Sequence, residues 1–139
     1  MNEKQPARSI GRSIGALFAG FVVVLVLSLG TDLALHAAGI FPPLGQIMSN
    51  PLFLLATVYR TVYAVLGSYI TARLAPDRPM GHALLGGGIG LVLAVVGAVV
   101  TWNKDLGPHW YPLALIVTAL SCAWVGGKLR LMQMRAGRP

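Results

Sequence analysis

Long apolar runs, broken at only a few polar junctions, dominate this chain. Four of them, residues 14–37, 51–73, 81–101 and 111–129, are long enough to cross a bilayer core of roughly 30 Å, for which about 20 helical residues suffice. Whole turns pass without a polar side chain, whereas a helix on the surface of a soluble core keeps a polar face. A membrane β-barrel would show shorter, alternating segments. The pattern therefore predicts an all-α integral membrane protein built as a four-transmembrane-helix bundle. A single domain is expected over residues 14–130, between a basic N-terminal segment (1–13) and a basic tail (131–139).

Composition agrees with that class: mean hydropathy is +0.70, with 55% hydrophobic and 11% charged residues. The few charges carry topological information. Lys4, Arg8 and Arg12 precede the first run, Arg73 and Arg78 lie between the second and third, and Lys128, Arg130, Arg135 and Arg138 follow the fourth. Nine of the eleven basic residues thus fall on one side; Lys104 alone lies opposite and Arg60 lies within a span. The positive-inside rule places both ends in the cytoplasm, which suits an even number of spans in a cytoplasmic (inner) membrane. The net charge of +7 is then accounted for by contact with anionic headgroups on the cytoplasmic side. No aromatic residues interleave the basic ones, so a nucleic-acid partner is not expected. The basic start and apolar run resemble a signal peptide, but the run is too long and the Ala37/Ala38 region is a poor cleavage site. Cys122 is the only cysteine and excludes an internal disulfide.

The chain also reads as a duplicated two-helix hairpin, with halves near 14–75 and 81–130. Residues 16–20 (Ala-Leu-Phe-Ala-Gly) match residues 83–87 (Ala-Leu-Leu-Gly-Gly), and Pro51-Leu52 and Thr57 parallel Pro112-Leu113 and Thr118. The span ends at Thr71-Ala72-Arg73-Leu74 and Gly127-Lys128-Leu129-Arg130 are alike as well. Two such halves would be related by an axis along the membrane normal. They differ where the charges are: Asp32 aligns with Val99 and Arg60 with Ser121.

Those two residues form the candidate site. Ionisable groups inside a span are costly and mark functional or tightly paired positions. At 1.5 Å per residue they lie at similar depths, and side chains lean toward their helix N-termini, which tilts Asp32 and Arg60 toward each other. Ser28, Asp32 and His36 share one face of the first span. Thr57, Arg60, Ala64, Gly67 and Thr71 form a seam on the second. Ser28, His36, Thr57, Tyr59 and Tyr63 are the candidate lining of any cavity there, with packing the expected role of the two tyrosines. On the third span, Gly86, Gly87, Gly90, Ala94 and Gly97 mark small-residue faces suited to close helix packing, some of them turned toward a second protomer.

Other chemistry is weakly supported. His36 and His109 lack a third ligand at fitting spacing for a metal, so no metal or other cofactor is expected. The Gly86–Gly90 run lacks the lysine and preceding strand of a phosphate loop. A nucleophile, base and orienter are not found together, so enzyme activity is not expected. The sequence therefore reads as a small non-enzymatic multi-pass membrane protein, an accessory or structural component that forms a homo-oligomer or joins a larger membrane complex. The alternative is a small transporter or channel for an ion or small polar solute, using Asp32 and Arg60.

The topology has a direct test. A cytoplasm-active reporter fused after Pro139 is expected to be active, and one inserted at Gly45 or Leu106 silent. Activity at Gly45 contradicts four spans with both ends inside.

Overall fold

The computed structural model describes residues 5–138, with side chains from Ser9 onward. Lys4, the Arg8 side chain and Pro139 fall outside that description. The described chain is four helices: α1 (Gln5–Ala37), α2 (Asn50–Leu74), α3 (Pro79–Thr101) and α4 (Trp110–Ala136). All four are long and apolar enough to cross a membrane. The apolar runs correspond to these helices, but α1 starts nine residues before the expected span and α4 continues seven beyond it. Hydropathy marks where hydrocarbon ends, whereas Arg12, Lys128 and Arg130 are good helix formers that carry the helices past that level.

Local chemistry explains the helix ends. Gly39 leaves α1 in the left-handed region (φ +71°), a conformation that favours glycine at this position. The chain then folds back, so that the amides of Ile40 and Phe41 both donate to the Leu35 carbonyl. Phe41 is buried with its ring edge-on to His36, 5.3 Å between centroids. Pro76 stops α2, because the residue before a proline avoids the helical region; Ala75 is extended at ψ 135°. Prolines in the first turns of α2 and α3 occupy positions where the missing N–H costs nothing.

The helices run up and down, placing both chain ends at one end of the bundle, here the terminal end, and the α1–α2 and α3–α4 loops at the other, the hairpin end. Helix α2 touches all three others, α4 packs on α2 and α3, and α1 packs mainly on α2. Among the described residues, the backbones of α1 and α4 do not come together. An exact two-fold relation between hairpins would pair α1 with α4 as α2 pairs with α3, so the packing departs from the symmetry expected of the halves.

Close approach at the terminal end rests on small residues. A Cβ on Gly20 would lie 2.6 Å from the Gly67 carbonyl oxygen, and one on Gly67 only 2.8 Å from that of Gly20, so α1 and α2 meet backbone to backbone. Gly87 sits against Ala123 in the second hairpin, and a Cβ on Gly126 would lie 2.6 Å from the Val65 carbonyl oxygen, so α4 approaches α2 as closely. Six of the nine buried apolar residues among those described are alanines. Large apolar side chains such as Phe18, Leu33, Val99 and Val117 point outward, as expected where hydrocarbon replaces water around the bundle.

Helix α3 differs in part from expectation. Gly87 is buried against α4, and a Cβ on Gly86 would be in ordinary contact with Leu17 of α1, at 3.4 Å. A Cβ at Gly90 or Gly97 would meet nothing within 4 Å. These two glycines therefore do not bring α3 against another helix of this chain; toward the hairpin end it is Ala98 that is buried.

Leucine at Gly67 should accordingly destabilise the bundle by at least about 1–3 kcal/mol, the usual cost of overpacking, since the Gly20 backbone opposes it as well as the Val24 side chain. Alanine at Gly90 should be tolerated, gaining up to about 1 kcal/mol of helix propensity. Thermal unfolding of both variants in mild detergent checks the contrast.

Candidate functional site

Asp32 and Arg60 meet as their depths and side-chain directions predict. Arg60 Nη2 donates to Asp32 Oδ2 at 2.6 Å, and the pair lies between α1 and α2 in the hairpin-end half. The side chains remain 34% and 22% exposed, respectively, so the pair is sheltered without being sealed. The Tyr59 hydroxyl donates to the other carboxylate oxygen, Oδ1. One turn further along α2, the hydroxyls of Tyr63 and Thr31 lie 2.7 Å apart. Thr31 spends its own proton on the Leu27 carbonyl, so Tyr63 is the donor. Two tyrosines and an arginine of α2 thus converge on two adjacent residues of α1.

This is a well-satisfied acid. Its two oxygens receive one charged and one neutral donor, and charge-assisted hydrogen bonds are the stronger kind. The arginine is less completely satisfied: Nε is buried without a hydrogen-bond partner. A buried N–H left unpaired costs about 1–3 kcal/mol.

Arg60 has a second environment. It lines a partly open cavity of about 370 Å³ between α2, α3 and α4, beneath the α3–α4 loop. Phe53 and Tyr111 form one wall, with ring centroids 5.1 Å apart. Trp102 and His109, stacked at 4.3 Å, form another. Gly97 and Ala94 leave the α3 side open. The loop is held close because Gly107, at φ +157°, lies against the Phe53 ring, where a Cβ would overlap the ring atoms.

The residues expected to line a cavity do not line this one. His36 turns its Nδ1 to the Asp32 carbonyl at 2.7 Å and its ring to Phe41. Thr57 donates to the Phe53 carbonyl of its own helix at 2.9 Å. Tyr59 and Tyr63, expected to pack, are hydrogen-bond donors on the α1 side of α2. Ser28 is half-buried one turn before Asp32. The His36 ring and the hydroxyls of Thr57, Tyr59 and Tyr63 are taken up by other partners, and the cavity opens between α2, α3 and α4. Of the expected small-residue positions on α3, Ala94 and Gly97 line it.

Sequence reasoning missed Thr31, whose pairing with Tyr63 needs the helix register, and the cavity itself, which depends on α4 and the Gly107 turn. It also missed two polar ties at the terminal end. His82 Nε2 lies 2.8 Å from Ser13 Oγ, joining α3 to α1. Tyr69 donates to Gln133 Oε1 at 2.9 Å, and Arg130 donates to the same oxygen at 2.7 Å. Compared with known protein families, curated proteins and solved structures, the chain matches none.

Phenylalanine at Tyr59 removes a donor from Asp32 and should cost about 1–3 kcal/mol. The same change at Tyr63 should cost less, about 0.5–1.5 kcal/mol, because Thr31 keeps its bond to Leu27. Chemical unfolding of the two variants side by side in mixed micelles checks the order.

Proposed function

We propose that this is a small non-enzymatic component of the cytoplasmic membrane, with both ends in the cytoplasm, acting as an accessory or structural element within a homo-oligomer or a larger membrane complex. The observation that carries this reading is the satisfaction of Asp32: both carboxylate oxygens are bound by donors from the neighbouring helix. A carboxylate that handed on a cation would have to break those bonds at each passage. Toward the terminal end the α1–α2 seam is closed by the Gly20–Gly67 backbone contact, which opposes a continuous polar route along it. The charged group then acts as a clamp that selects one register between α1 and α2. The large apolar side chains turned outward on α1 and α3 supply surface for lipid or for a partner helix.

Transport of an ion or small polar solute is the second reading. It is favoured by Arg60 lining a cavity at the hairpin end, which would serve as an outer vestibule. The terminal-end seam would then have to part during the cycle.

Paired substitutions separate the two. Arg60→Leu or Asp32→Leu alone leaves one charge stranded, costing about 3–5 kcal/mol in soluble proteins, and should lower folded yield. A clamp predicts that the double variant Asp32→Leu/Arg60→Leu recovers most of that yield and retains assembly with partners. Transport predicts a double variant that folds and assembles but loses solute flux in proteoliposomes. Two harmless single substitutions would remove the clamp reading.

A further inference from the structure

The cavity beneath the α3–α4 loop has a composition that selects its occupant. Its walls are apolar or aromatic, with Phe53, Trp102, His109 and Tyr111 contributing four rings. The cationic group among its lining residues is Arg60, which α2 places about 10 Å deeper than Phe53 at 1.5 Å per residue. That guanidinium is already neutralised by Asp32 through Nη2, and its side chain stays 34% exposed with further N–H donors beyond the one used. The floor is therefore close to neutral overall and still has hydrogen-bond donor capacity.

We propose that the cavity binds the ring of a neutral lipophile bearing a carbonyl oxygen, with the oxygen seated on Arg60 and the ring between the aromatic walls. A second carboxylate or phosphate on the same guanidinium would leave a net negative charge in a poorly hydrated site, where desolvating an ion costs several kcal/mol. A free hydrophilic solute would give up its water to walls that return few hydrogen bonds. A neutral carbonyl avoids both costs and satisfies an arginine donor. Planar rings gain from offset or edge contacts with the surrounding aromatics. The volume of about 370 Å³ lies within the usual range of small-molecule sites and suits one ring-sized headgroup, whose chain leaves through the open side. This inference is independent of whether the Asp32–Arg60 pair is a clamp or a transport site.

Trp102 is the built-in reporter. Trp110 and Trp124 do not line the cavity, so a Trp110→Phe/Trp124→Phe protein in phosphatidylcholine vesicles isolates the Trp102 signal. Titration with a short-chain 1,4-benzoquinone, a neutral carbonyl ring that quenches indole fluorescence, should give saturable quenching. Gly97→Leu fills the cavity from a position where a Cβ meets nothing within 4 Å, and should weaken apparent affinity by about tenfold or more with helicity and Tm unchanged. Ala94→Leu is read instead if Gly97→Leu does not fold. An alkylbenzene of the same size without the carbonyls should compete about tenfold less well, the equivalent of one net hydrogen bond. The proposal is overturned if quenching of Trp102 is linear, as for quinone merely dissolved in lipid, or is unaltered by the filling variant. It is also overturned if the hydrocarbon competes equally, which removes the role of Arg60, or if a fatty-acid carboxylate displaces the quinone better than a neutral ketone, which makes the site anionic in preference.

Discussion

An arginine cannot sit bare in hydrocarbon, and the arrangement of this bundle follows from the way that constraint is met. Arg60 finds its carboxylate on α1, and once Nη2 and Oδ2 are 2.6 Å apart the two helices have one register. Tyr59 and Tyr63 fall on the same flank of α2 and reach Asp32 and Thr31. At the other end of the interface, that register brings Gly20 opposite Gly67. The polar contacts at one end and the backbone contact at the other reinforce each other, since displacing α1 by a turn would break both.

The bundle is consequently uneven along its length. Toward the terminal end, glycines and alanines let α1, α2 and α4 approach closely, and Gly87 and Gly127 draw in α3. Toward the hairpin end a cavity opens between α2, α3 and α4, bounded by aromatic rings and the Gly107 turn. Without the hydrophobic effect between helices in lipid, packing contacts and interhelical hydrogen bonds carry association.

Much of this was legible in the sequence because it depends on properties with a fixed period or sign. Four spans follow from hydropathy, and the meeting of Asp32 with Arg60 follows from depth and side-chain direction. What escaped depends on relations between helices that a single helix does not encode. Glycine on α3 looks the same whether it faces Ala123, as Gly87 does, or open space, as Gly90 does; only the position of the neighbouring helices distinguishes them. The hydroxyls of Thr57, Tyr59 and Tyr63 were each able to bond locally or across an interface, and rotamer and register decide between these: Thr57 stays on its own helix while both tyrosines cross. The cavity was hidden because α2, α3, α4 and a loop all contribute to it.

The order of the helices along the chain bears on how α2 enters the membrane at all. It is the least apolar of the four spans and carries the arginine, whereas α1 is among the most apolar. Synthesis delivers α1 first, so a hydrophobic anchor holding Asp32 is already available when Arg60 emerges. The least apolar span is thereby received by a neighbour that supplies the counter-charge. Reversing the order of the two helices could keep the Asp32–Arg60 contact and would still leave the arginine to enter the lipid without its partner.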